Sequence, residues 1–360
     1  AESVGGTQPD VMGGSQPGMG LSATCWFFGL ELHTTQKDVP IGLIHTSYGG
    51  SAVEDWISEE VLGDGKSGPC PGPVVQSMGV PSQQYNGQIH PLLNVTIKGA
   101  VWYQGESNAS PFGQDNLYAC RYELLMKEWR REWNVGTGGA TDPNFWIGFV
   151  QIGPIGTPAT GPDSPDSKPT FATRMGQTAD FGYAPNPDMP YSFMATAFDL
   201  ANPPDTKCFN GCVHIFNKQA VGHRLAVAAR AHVYGESVVS SGPQVSSVSK
   251  TVSASGTVTV VVQYRTGTEG KGLQLRGGYG FQVCFQADNC DPHTGDGTWQ
   301  AASATSPTFN SVTLVVPPST STVAYVRYAY DDMPSVFYGT GPCVFNGEGL
   351  PATPGIYKVS

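Results

Sequence analysis

Apolar residues fall into two textures along the 360-residue chain. In the first two thirds they gather in short, nearly continuous runs: "PIGLIHTS" (40–47), "IKGAVWYQ" (97–104), "NFWIGFVQI" (144–152) and "SFMATAFDL" (192–200). Unbroken runs of this length predict parallel strands covered on both faces, because a strand with one wet face alternates instead. Between them the period changes. "LYACRYELLMKEWRREW" places Tyr122, Leu125, Trp129 and Trp133 at steps of three and four, and "NKQAVGHRLAVAARAHVYGE" does the same with Val221, Leu225, Ala228 and His232. The second stretch opens at an Asn, carries Arg224, Arg230 and His232 in its later turns and stops at Gly235, as a helix with complementary ends does. Alternating strands and helices predict an α/β layered sheet whose ligand crevice lies beyond the carboxyl ends of the strands.

From about residue 237 the runs become short and β-branched: "TVTVVVQY", "FQVCFQA", "SVTLVV" and "TVAYVRYAY", separated by Gly, Ser, Thr, Asp and Pro. This predicts a smaller antiparallel β-sandwich. The expected division is an α/β domain over 1–236 and a β domain over 237–360. The stretch 156–170, "GTPATGPDSPDSKPT", is a long loop inside the first, readable as a lid or as plain disorder.

Charge narrows the function. A net charge of -10 argues against nucleic acid, whose phosphates require clustered Lys and Arg. No run of eighteen apolar residues exists, so no membrane-spanning helix is expected. Eight Cys suit an oxidising compartment; Cys284 and Cys290 have the span of a small disulfide loop, and Cys208 with Cys212 could form another. A zinc site from Cys208, Cys212 and His214 is the alternative, although no second Cys pair completes it. Sequons at Asn94 and Asn108 fit a secretory route, so the expected location is extracellular or lysosomal. The opening "AESVGGTQPDVMGG" is read as a processed start.

Three loops after predicted strands offer chemistry. "YGGSAVEDW" has Gly49 and Gly50 for close backbone approach, then Ser51-x-x-Glu54, a capping-box pattern whose N–H groups could hold a developing oxyanion; the plain reading is a tight turn and an ordinary cap. Gly105-Glu106-Ser107-Asn108 offers an amide donor at Asn108, or simply a turn. "CFNGCVHIFNKQ" places His214 three residues before the helix cap Asn217, a position for a general base, although a lone His is more often structural. His33, His45, His90, His223, His232 and His293 sit beside no second reactive group and read as structural. Two oxyanion donors and a base are thus in view, without a nucleophile.

With these residues in place, the chain resembles the sialate O-acetylesterases of the SGNH-hydrolase superfamily. "IGLIHTSYGGSAVEDW" looks like the glycine block of that family, "IHPLLNVTIKGAVWYQGESN" like its asparagine block, and "VHIFNKQAVGHRLAVAARAHVYGE" like the block of its catalytic His; "QTADFGYAPNPDMPYSFMATAFDL" is similar to its eukaryotic members. The resemblance implies a flavodoxin-like parallel sheet with helices on both faces, and a serine esterase that needs no cofactor or metal. It makes His214 the catalytic base, Gly49 or Gly50 and Asn108 the oxyanion hole, and Ser107 part of the wall. Gln104, Gly105 and Glu106 would line the substrate, and Arg174 would meet a sialate carboxylate. The nucleophile block Gly-Gln-Ser-Asn-Met is missing; "GGSQPGM", with Ser15, only loosely imitates it. Gly211 stands where many relatives have the Asp that orients the imidazole, which leaves Asp199, or a backbone carbonyl, for that task. The implied activity is removal of O-acetyl groups from sialic acid or sialoglycans, with the nucleophile on an N-terminal fragment of the same precursor. The alternatives are an acetyl esterase for another polysaccharide and a silent glycan-binding or structural relative.

Overall fold

The computed structural model describes residues 21–64, 68–74, 79–109, 117–155, 167–202, 214–254, 257–276, 280–291, 296–305, 307–319, 321–331 and 344–360. Ser15, Cys208, Cys212, His293 and most of the 156–170 loop lie outside these residues, so the readings placed on them have no structural counterpart here.

Three of the four apolar runs form a parallel sheet in the order β1–β2–β3, with β1 at Gly99–Trp102, β2 at Trp146–Gln151 and β3 at Ser192–Thr196. Five helices accompany it: α1 (Ala23–Thr35), α2 (Glu59–Leu62), α3 (Tyr118–Gly136), α4 (Ser167–Gly176) and α5 (Lys218–His232). Alternation along the strands divides the faces. Trp102, Ile147, Phe149 and Met194 meet Tyr122, Leu125, Trp129 and Trp133 of α3 on one side. Val150, Phe193 and Ala195 meet Leu225 and Ala229 of α5, and Leu32 of α1, on the other. Each large side chain fully removed from water contributes about 1.5–3 kcal/mol, so both faces are firmly covered. The absence of a side chain at Gly222 lets α5 approach α1: a Cβ there would lie 2.7 Å from Cβ of Phe27.

The fourth run departs from expectation. Residues 40–47 form no strand, and Ile44 is 51 % exposed. An apolar extended segment becomes a strand only where a neighbouring backbone takes its N–H and C=O groups; among the described residues the sheet ends at β1. The segment instead leans Leu43 against Gly29 of α1. The capping box at Ser51 is also absent. Ser51 Oγ donates to the Tyr48 carbonyl (2.8 Å) and accepts from Trp56 Nε1 (2.9 Å), while the Asp55 carboxylate caps the Ala52 N–H (3.1 Å) ahead of a single 3-10 turn, Val53–Trp56.

The second part holds β4 (Val245–Val252), β5 (Val258–Tyr264), β6 (Gln274–Leu275), β7 (Phe281–Phe285), β8 (Trp299–Thr305), β9 (Ser311–Val315), β10 (Val323–Tyr328), β11 (Val344–Phe345) and β12 (Gly355–Lys358). The antiparallel expectation matches, but the two packed layers of a sandwich do not. Seven strands form one sheet, β12–β10–β7–β8–β9–β5–β4, which curls until Val359 bridges Val248 and Ser360 N–H reaches the Val248 carbonyl at 3.0 Å. Near-closure of this kind covers the two edges that an open sheet would expose. Its inside is packed with Val260, Val262, Phe281, Val283, Val312, Leu314 and Val326. The Cys284–Cys290 disulfide forms as expected, and a second links Cys70 to Cys120 on α3.

Candidate active site

The loops that follow β1 and β3, at the carboxyl ends of parallel strands, carry the candidate residues. After β1 the chain passes Tyr103 and Gln104 and turns sharply at Gly105, whose φ of 147° and crowded surroundings favour glycine: a Cβ would stand 2.8 Å from Ile152 and 3.2 Å from Thr173. Gln104 is buried and holds the turn. Its Nε2 donates to the Ser51 carbonyl (3.0 Å) and to Asn108 Oδ1 (2.7 Å), while its Oε1 accepts from Tyr118 Oη (3.1 Å). Gln177 supports the same backbone, donating to the Gln104 and Val150 carbonyls at 3.0 and 2.9 Å. Gln104 therefore acts as a strut of the loop, and its side-chain atoms are committed to protein rather than to substrate.

Asn108 closes this network. Its Oδ1 accepts from Val53 N–H (3.0 Å) and from Gln104, and its Nδ2 donates to Glu54 Oε2 (3.0 Å). Glu54 in turn pairs with Arg121 of α3, whose other nitrogen donates to the carbonyls of Gly72 and Pro73. A buried ion pair of this kind holds two loops in one register, because separating it would strand a charge away from water. One Nδ2 hydrogen of Asn108 goes to Glu54, and the second has no acceptor among the described residues. At 1 % exposure Asn108 has no room for a glycan, so the sequon there is blocked by the fold; Asn94 is exposed.

Gly49 and Gly50 are exposed, and neither N–H makes a hydrogen bond among the described residues. Gly50 takes φ 72°, which turns the chain toward Ser51 and so toward the Gln104–Asn108 network. Glu106 is half-buried, and burial raises its carboxyl above the usual range.

His214 lies at the mouth of α5. Asn202 clips its loop from both sides, donating to the His214 carbonyl (2.8 Å) and accepting from Phe216 N–H (2.8 Å). Three residues on, Asn217 caps α5 by accepting from Ala220 N–H at 3.0 Å. The half-buried ring has no hydrogen-bond partner among the described residues. Burial lowers its pKa, and the charge of Lys218 lowers it further, so the ring is neutral and able to accept a proton at pH 7.

Two assignments made from sequence are corrected. Asp199 does not orient the imidazole: its two oxygens are held by the guanidinium fork of Arg224 at 2.6 and 2.7 Å. Such bidentate pairing fixes the carboxylate on the Arg224 side, and Asp199 makes no hydrogen bond to His214. Arg174 does not face a substrate either. It is fully buried, donates to the carbonyls of Ile152 (3.0 Å) and Asp331 (3.1 Å), and lies over the Phe198 ring, at the junction with the β part.

Lys218, the first residue of α5, was not singled out from sequence. Its ammonium lies 4.8 Å from the ring centre of Tyr103 and acts electrostatically on both Glu106 and His214. This contact brings the start of the His helix against the start of the asparagine loop. The signal available in the sequence was its position, four residues after His214 and next to the cap.

Comparisons with known proteins place the chain among relatives. Residues 8–137 match the family described as carbohydrate esterase, sialic acid-specific acetylesterase, and residues 249–359 match the sialate O-acetylesterase C-terminal domain. The sialate O-acetylesterase of Homo sapiens is 35 % identical over 338 residues, covering 93 % of this chain and 60 % of the human protein. That of Mus musculus is 33 % identical over 373 residues, covering 94 % of this chain and 64 % of the mouse protein. The chain thus spans about three fifths of the length of these relatives. A crystal structure of a carbohydrate acetylesterase from Xanthomonas citri superposes with a TM-score of 0.70 at 27 % identity, covering 94 % of this chain and 66 % of that one. By these matches and by the blocks that build its site, the chain belongs to the sialate O-acetylesterase family.

Proposed function

We propose that the chain is the larger part of a secreted or lysosomal esterase that removes O-acetyl groups from sialic acids through an acetyl-enzyme intermediate. The observation that carries this reading is the meeting of the two loops: Lys218, beside His214, rests 4.8 Å from Tyr103, which leads into the Gly105–Asn108 turn. This contact supports a site in which the His214 imidazole and the spare Asn108 amide N–H face one substrate.

In this reading a serine from an N-terminal segment of the same precursor attacks the acetyl carbonyl, and His214 takes its proton. The Gly50 N–H and the second Nδ2 hydrogen of Asn108 hold the negative charge that forms on the carbonyl oxygen. As the tetrahedral intermediate collapses, His214 returns the proton to the departing sugar oxygen. His214 then deprotonates water, which attacks the acetyl-serine and releases acetate and the free serine. The relatives it matches are longer than this chain. Support for the sugar comes from the relatives' names, while the Xanthomonas citri enzyme keeps another acetylated carbohydrate as the second reading.

The full precursor should release acetate from O-acetylated sialic acid faster than from acetylated xylan, and His214→Ala should cut kcat/KM by roughly 10^3-fold or more. Equal turnover by His214→Ala would remove the base from the mechanism. A preference for xylan would move the substrate to the second reading.

A further inference from the structure

An anionic sugar bound by a protein of net charge -10 needs a local cation, because the overall field opposes it. Of the basic side chains near the two loops, three arginines are already committed. Arg121 is paired with Glu54, Arg224 is held bidentately by Asp199, and Arg174 is buried against the carbonyls of Ile152 and Asp331. Lys218 differs from all three: its ammonium makes neither a hydrogen bond nor an ion pair with any described residue. Its stem is half-buried, and its charge rests on the face of Tyr103 at 4.8 Å. The Tyr103 hydroxyl is itself buried without a hydrogen-bond partner among the described residues. Among the described residues, an ammonium without an ion pair therefore rests on a ring whose hydroxyl has no partner, and that ammonium acts electrostatically on His214.

Resting on the proposed esterase function, we propose that Lys218 binds the carboxylate of the substrate sugar, with Tyr103 beneath it as platform and second hydrogen-bond donor, so that this pair selects acidic over neutral acetylated sugars. The chemistry is simple. A carboxylate entering the cluster exchanges water for a partly desolvated ammonium, where a charge-assisted hydrogen bond is about twice as strong as a neutral one. Burial lowers the Lys218 pKa, but a bound anion favours its charged form. Glu106, the carboxylate that acts on Lys218, makes neither a hydrogen bond nor an ion pair with it. The substrate carboxylate would then fix the distance from Lys218 to the acetyl ester presented to His214.

The test is a ratio measured on the full precursor: kcat/KM for O-acetylated sialic acid divided by kcat/KM for the same compound with its carboxyl methylated. Lys218→Gln should lower that ratio at least about tenfold, and Lys218→Arg, which keeps the charge, should restore part of it. Tyr103→Phe, which keeps the ring and removes only the hydroxyl, should lower it several-fold. A wild-type ratio near one, or an unchanged ratio in Lys218→Gln, overturns the assignment while leaving deacetylation intact. Absence of any turnover of acetylated sialic acid by the wild type, with turnover of acetylated xylan retained, overturns the substrate reading and this assignment with it.

Discussion

In the proposed mechanism Lys218 contributes to the acid limit of catalysis, because its charge adds to burial in lowering the pKa of His214. A base works only while unprotonated, so kcat/KM should fall as pH drops through the pKa of His214, and the midpoint of that fall should lie below the ordinary histidine value of about 6.5. Burial is the larger cause and Lys218 the smaller. Lys218→Gln should therefore move the acid limb part of the way up toward 6.5, a shift measurable from the pH dependence on a neutral aryl acetate. An unmoved midpoint would separate the ammonium from the imidazole. At this scale the sequence was only half readable. His214 could be singled out by its place three residues before the cap Asn217, and the family resemblance gave it the role of base. Asp199 was misread because its partner, Arg224, lies 25 residues further on, and nothing local marks such a pairing. Lys218 went unnoticed because a lysine in the first turn of a helix looks like an ordinary solvated residue until Tyr103 is placed beneath it.

At the scale of elements, the wall of the site depends on a buried tie between α3 and the turn at Val53–Trp56. Glu54 and Arg121 are both fully enclosed, and Glu54 also receives Asn108. Arg121→Met should destabilise the protein by roughly 3–5 kcal/mol, because Glu54 is then left charged and uncompensated away from water. Denaturant unfolding would measure this, and pairing the change with Glu54→Leu should recover part of the loss. A cost below about 1 kcal/mol for Arg121→Met would mean that the pair is incidental. The elements themselves were well marked where one signal sufficed. The period of Tyr122, Leu125, Trp129 and Trp133 places α3, and the unbroken runs place β1, β2 and β3. Residues 40–47 have the same apolar texture and yet form no strand, since texture says nothing about whether a neighbouring backbone is present to pair with. Ser51-x-x-Glu54 fits a cap by spacing, but the demand of Arg121 for a buried counter-ion decides where Glu54 goes.

For the whole molecule, the parallel sheet places two loops at one end, and the curled antiparallel sheet buttresses the other elements through Arg174 and through the contact of Phe171 with Tyr330, 4.8 Å between ring centres. Short β-branched runs between turn residues made the second part recognisable as antiparallel. They could not reveal that it nearly closes, because closure rests on β12 reaching β4 across more than a hundred residues of chain. Which serine performs the proposed chemistry also belongs to this scale, since in that reading residues outside this chain complete the site. Labelling the full precursor with a fluorophosphonate, followed by peptide mapping, answers it most directly. The account predicts a single phosphonylated serine outside the 360 residues, with labelling lost in His214→Ala. A label on Ser107, or labelling that persists without His214, would contradict it.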